Sequence, residues 1–136
     1  MTLAPGTILA SYTIERLLGR GGMGEVFLAT HAGLGRKVAL KLLSADLASE
    51  PSFRERFIAE SRLAASLDQP HIVPIYEAGE ADGRLFIAMR YVDGDDLGGL
   101  ISAAGRLAPE RAVGLLAGIA TALDAAHERG LVHRDV

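Results

Sequence analysis

Three groups of residues in this chain have types and spacings that could do chemistry. Residues 19–26 read Gly-Arg-Gly-Gly-Met-Gly-Glu-Val, a G-x-G-x-x-G-x-V arrangement built on Gly19, Gly21 and Gly24. Lacking Cβ atoms, such a backbone can come close to phosphate oxygens and aim amide groups at them. Lys41 is one of only 2 lysines among 14 basic residues, and it lies in the apolar run Val38-Ala39-Leu40-Lys41-Leu42-Leu43. An ammonium among apolar neighbours needs an anion. The third group is His133-Arg134-Asp135, directly after a long apolar helix and the pair Leu131-Val132.

Glu60 is a fourth candidate because of its place in a pattern. Phe53, Phe57, Glu60, Ala64 and Leu67 recur at helical steps, so a carboxylate interrupts the apolar stripe that should pack on a sheet. The economical reading pairs Lys41 with Glu60 and leaves the lysine aimed at something else negative. The plainer alternative is a snorkelling lysine and a glutamate on the rim. The glycine segment also has alternatives. A dinucleotide-binding turn would need a helix after the third glycine, but Val26-Phe-Leu-Ala-Thr reads as a strand. A Walker-type loop would need Gly-Lys-Ser/Thr, which is absent. A simple glycine-rich hairpin turn stays open.

The elements that must position these residues are legible from pattern. Tyr12–Leu18, Val26–Thr30 and Arg36–Leu43 are short runs of strand formers separated by glycine-containing turns, the order of an antiparallel meander. A helix is predicted from Pro51 to Leu67. Two further strands, Ile72–Glu77 and Leu85–Tyr91, are joined by the turn Gly79–Gly83. Helical pattern then takes over, near Leu97–Ala104 and from Pro109 to Arg129. Pro109 suits a first helical position and Gly130 a left-handed stop.

Composition removes several classes. The chain has 136 residues, 49% of them hydrophobic and 23% charged, with a formal charge of −3 and no basic cluster, so nucleic acid is not an expected partner. With no cysteine there is no disulfide and no thiol nucleophile or ligand. The longest apolar run, Ala112–Leu123, is shorter than the ~20 residues a membrane helix needs, and no signal-peptide pattern opens the chain. A soluble chain is expected. His31, His71 and His127 have no metal-ligand spacing and are read as structural or exposed, and His133 as a packing residue. No metal ligand is assigned.

Together, and in this order, the motifs resemble a protein kinase, in particular the bacterial serine/threonine kinases of eukaryotic type. The resemblance runs from Tyr12 to the end. Gly19–Val26 matches the phosphate-covering loop, Val38-Ala39-Leu40-Lys41 the lysine strand, Glu60 the helix glutamate, and His133-Arg134-Asp135 the start of the catalytic loop. It implies an α+β, protein-kinase-like fold. A five-stranded antiparallel N-lobe sheet with one main helix would occupy 12–91, a hinge 92–96, and the first helices of a truncated helical C-lobe 97–136.

The resemblance also implies roles. Lys41 would bind the α- and β-phosphates of ATP with Glu60 holding it. Gly19, Arg20, Gly21, Gly22, Met23 and Gly24 would cover the phosphates, and Leu18, Val26 and Ala39 would roof the adenine. Met89 falls at the gatekeeper position, and Arg90 and Val92 would pair with adenine through backbone groups. Arg90 departs from the glutamate often found there. Asp96 matches a ribose-contacting position, with a solvated loop aspartate as the equal alternative. Asp135 would be the base that takes or orients the proton of a protein Ser/Thr hydroxyl.

The family's Lys-Pro-x-Asn and Asp-Phe-Gly motifs, which hold Mg²⁺, would lie beyond Val136. The expectation is therefore a piece of a longer kinase, itself inactive and carrying an exposed stripe along Val113, Leu116, Ala120 and Leu123. A non-catalytic nucleotide-binding or interaction product is the alternative. ATP and Ser/Thr-containing proteins are the implied partners, and a kinase dimer is open. The implied location is cytoplasmic, with a membrane anchor and external sensor domain carried further along in many bacterial relatives.

Overall fold

The computed structural model describes residues 3–133. It divides into two units: one runs to Ser66 and resumes over Val73–Tyr91, and the other comprises Leu67–Ile72 and the chain from Val92 onward.

The first unit is built on an antiparallel sheet of β1 (Ile8–Leu9), β2 (Tyr12–Gly21), β3 (Gly24–His31), β4 (Lys37–Leu43), β5 (Ile75–Ala81) and β6 (Arg84–Arg90), in the order β1-β2-β3-β4-β6-β5. This is one strand more than the five expected. The addition is the two-residue β1, which folds back on Tyr12 and Thr13 through Ala10, at φ 51. Two residues are too few for alternation to register. The β5–β6 turn is tighter than expected: Gly79 continues the strand, and Asp82 and Gly83 turn at φ 51 and 72.

One face of this sheet is sealed. Tyr12, Ile14, Phe27, Ala29, Val38, Leu40, Leu42, Phe86 and Ala88 form one buried cluster with Leu9. The sheet curls enough for β2 to touch the far-edge strand, because the Tyr12 hydroxyl donates to Glu77 of β5 at 2.5 Å. Arg36, in the β3–β4 turn, lies 3.6 Å over the ring of Tyr76. The Tyr12 ring also meets His31 and Phe86 edge-on. Burial of Tyr12 and, secondarily, its bond to the Glu77 carboxylate raise the phenol's pKa above the ordinary 10.0.

The opposite face carries a second buried cluster. There Leu43 and Leu85 pack with Ala48 of the four-residue α1 (Ala45–Ala48) and Phe57 of α2 (Pro51–Ala65). Arg54 fastens α2 by donating to the Ala48 carbonyl at 3.1 Å and pairing with Glu80 of β5.

The second unit holds α3 (Leu97–Ala104) and α4 (Pro109–Glu128). Pro109 opens α4, and Gly130 at φ 76 follows its C-cap, as the sequence pattern requires. The His71 ring sits against Gly118 of α4, where a Cβ would fall 3.1 Å from it. Neither helix has a fully buried residue; Val113 is 65% and Leu116 59% exposed.

Candidate functional site

The glycine segment is a hairpin. Gly21 and Gly24 are cross-strand partners around Gly22-Met23, and just below them Arg20 pairs with Glu25 at 2.7 Å. Arg20 and Glu25, five apart about a two-residue turn, become readable as a pair once that turn is placed.

The glycines differ in what requires them. Gly24 has φ 149, and a Cβ there would fall on the Leu42 carbonyl oxygen of β4. Close backbone approach therefore demands glycine. The Ser44 amide also donates to the Met23 carbonyl at 3.1 Å, tying the hairpin tip to the end of β4. At Gly19, Gly21 and Gly22 a Cβ would meet nothing within 4 Å. The protein's own packing does not explain these three; they leave space beside the hairpin. Leu18 precedes them at a register shift between Leu17 and Gly19, where β2 carries one residue too many for its partner.

Alternation along β4 decides which residues share a face with Lys41. Val38, Leu40 and Leu42 enter the sealed core, so Ala39 and Lys41 lie on the other side. Register carries that face across the sheet: Val26 of β3 opposes Lys41, and Met89 of β6 opposes Ala39. All four are half-buried. They form a small apolar platform with one ammonium in it, next to the hairpin.

Lys41 and Glu60 do not form an ion pair, which corrects the expectation. Neither residue joins an ion pair of the described residues, whereas Arg20 pairs with Glu25, Lys37 with Glu15 and Arg54 with Glu80, and Glu60 is exposed. The cause is helical phase. After Phe53 and Phe57 the buried face of α2 continues with Ser61, a second step of four, and not with Glu60, a step of three. Glu60 is thus turned about 100° from the buried line. The rim reading of Glu60 is the one realised.

The remaining candidates lie further along. Arg90 ends β6, exposed, its amide donating to the Pro74 carbonyl at 3.0 Å. Val92 is exposed. Asp96 is the N-cap of α3, its carboxylate accepting from the Gly99 amide at 2.7 Å. An aspartate just before Leu97-Gly-Gly-Leu carries the cap signal, so this role was readable. Asp135 lies outside the described residues. Among the described residues no group of three or more His, Asp or Glu side chains could hold a metal ion, and no helix is long and apolar enough to cross a membrane.

A half-buried lysine with no carboxylate of the described residues paired to it, an apolar platform around it, and a glycine hairpin with unfilled space lie together on one face of the sheet. The profile of the protein kinase domain matches residues 12–136, and the chain belongs to that family. Its relatives include the serine/threonine-protein kinase PknH of Mycobacterium tuberculosis, 49% identical over 96% of this chain and 21% of PknH. PknE of the same species is likewise 49% identical, over 96% of this chain and 23% of PknE. The crystal structure of the M. tuberculosis PknI kinase domain superimposes with a TM-score of 0.88 at 44% identity, covering 99% of this chain and 55% of that one. The chain thus spans about a fifth of the length of these relatives and about half of the solved domain.

Proposed function

We propose that the protein to which this chain belongs transfers the γ-phosphoryl group of ATP to serine or threonine hydroxyls of other proteins. In this reading residues 12–91 are the nucleotide lobe, 92–96 the hinge, and 97–136 the opening of the second lobe. Lys41 holds the α- and β-phosphates, and the amides around Gly19, Gly21 and Gly22 lie along them. Leu18, Val26, Ala39 and Met89 enclose the adenine, with Arg90 and Val92 offering backbone groups at its edge. Asp135 takes or orients the proton of the attacking hydroxyl. Asp96 keeps its capping role, and a ribose contact there would have to share the carboxylate that Gly99 uses.

The observation that supports this most is Lys41: an ammonium on an apolar platform, with no carboxylate of the described residues paired to it. It fits the phosphate that the neighbouring glycines leave room for. Magnesium supplies charge neutralisation to this reaction in the family, and no residue described here is assigned to it. For Glu60 to steady Lys41, α2 must turn by about one residue, ~100°.

The test is kinase activity of the full-length gene product on a generic basic protein. Lys41→Met and Asp135→Asn are each expected to lower kcat/KM by ~100-fold or more. Wild-type activity in both variants would overturn the assignment. For the 136-residue chain taken alone, the exposed position of Glu60 favours a second reading, nucleotide binding without transfer. Saturable binding of a fluorescent ATP analogue, lost in Lys41→Met, with no phosphate incorporated, is the expected result.

A further inference from the structure

Arg20 is the only basic residue of the glycine segment, and a guanidinium so placed is a natural ligand for phosphate. The register of the hairpin decides otherwise. Directly opposed residues of an antiparallel pair share a face. Val26 opposes both Lys41 and Gly19, so Gly19 lies on the face of Lys41. Glu25 opposes Leu42 of the sealed core, and Arg20 opposes Glu25, so these two lie on the other face.

The extra residue in β2 is what places Arg20 there. Leu17 opposes Phe27 of the core, and in an unbroken strand alternation from Leu17 would put Arg20 on the side of Lys41. The register shift between Leu17 and Gly19 inserts Leu18, and a slip of one residue moves every later side chain to the opposite face. Gly19 and Gly21, which have no side chains, take the side of Lys41, and Arg20 is carried away from it. On that other side its Nε lies 2.7 Å from a Glu25 carboxylate oxygen. The Glu25 side chain is 21% exposed, and a carboxylate withdrawn that far from water needs a cation. The pair sits at the base of a tip where Gly21, Gly22 and Gly24 have no side chains to hold the two strands together.

We propose that Arg20 and Glu25 are positioning residues of the phosphate site. They clamp the base of the hairpin from the face away from Lys41, which holds the amides between Gly19 and Gly22 in place, and the Arg20 side chain touches no phosphate. The proposal rests on the nucleotide reading of the Lys41 face. The two roles open to Arg20 differ in sign at Glu25. A phosphate-binding Arg20 held back by Glu25 is freed by Glu25→Gln, which tightens ATP; a clamp is loosened by the same change, which weakens ATP.

The experiment measures binding of a fluorescent ATP analogue to the 136-residue chain, with adenosine as competitor, for the unaltered protein, Arg20→Gln, Glu25→Gln and the double variant Arg20→Glu/Glu25→Arg. Backbone amide exchange of the nucleotide-free forms is followed by NMR. Each single variant should weaken the ATP analogue about fivefold and leave adenosine within about twofold. Exchange should quicken at the amides of residues 19–26 while β4 and β6 keep their rates. The double variant, which keeps the pair with its charges reversed, should recover most of both losses. Tighter ATP binding by Glu25→Gln, a double variant as weak as Arg20→Gln, or unchanged hairpin exchange in the single variants would overturn the clamp. Failure of the nucleotide reading has its own signature: the unaltered chain binds no ATP analogue, or Lys41→Met binds it equally, while the hairpin amides still quicken in the single variants. That result removes the positioning role together with the nucleotide.

Discussion

Every fully buried side chain among the described residues belongs to the sheet unit, and α3 and α4 contribute none. In the sheet unit, curling lets one face close on itself, with Phe27, Ala29, Val38, Leu40 and Ala88 at 0% exposure. α4 is at least as apolar in sequence, yet Val113 and Leu116 face water. Apolar content alone therefore does not make a core. The sheet supplies many neighbours to each residue, whereas a pair of helices buries only the stripe they share.

This contrast is easiest to break with paired substitutions. Phe27→Ala should cost ~3–5 kcal/mol in urea unfolding followed by circular dichroism, whereas Leu116→Ala should stay within ~0.5 kcal/mol. A loss at Leu116 as large as that at Phe27 would mean that the helices share a core after all. Within the hairpin, Gly24→Ala should cost ~1–3 kcal/mol through its φ and the Leu42 carbonyl. Gly21→Ala should leave stability within ~0.5 kcal/mol and, on the proposed function, weaken nucleotide binding. Equal destabilisation by both would show that Gly21 is needed by the fold itself.

A smaller loss than that at Phe27 is expected at the sheet's closure. Tyr12→Phe removes the bond to Glu77 and should cost ~1 kcal/mol near neutral pH. Because the phenol's pKa is raised on folding, its contribution is intact below pH 10.0, the unfolded value, and is lost as pH rises above it. The wild-type chain should therefore lose stability more steeply than Tyr12→Phe in alkaline titrations of the unfolding midpoint. Parallel alkaline arms would remove Tyr12 from the closure.

Much of this architecture was legible in the chain. The strand containing Lys41, the helix opened by Pro51 and the helix between Pro109 and Gly130 follow from alternation, proline and glycine, and each forms close to its expected bounds. What pattern could not settle was phase. After Phe57 a step of three leads to Glu60 and a step of four to Ser61, and both keep an amphipathic helix. The packing of Phe53 and Phe57 against Leu43, Leu85 and Ile87 selects the second. β1 and α1 were missed because two and four residues are too short to show a period.

Contacts across the sheet were less legible still, since Tyr12 and Glu77 stand 65 residues apart. Nothing local marks either as the other's partner. The types and order of the chemical groups, with the alternation that puts Val26, Ala39, Lys41 and Met89 on one face, were determined by the sequence, because side-chain period is a property of the strand itself. Tertiary structure alone decided that these four side chains are half-buried, that Lys41 has no carboxylate of the described residues paired to it, and that Glu60 turns to solvent. Those outcomes depend on how far the sheet curls and which stripe of α2 meets it, and both are set by the packing of residues distant in the chain.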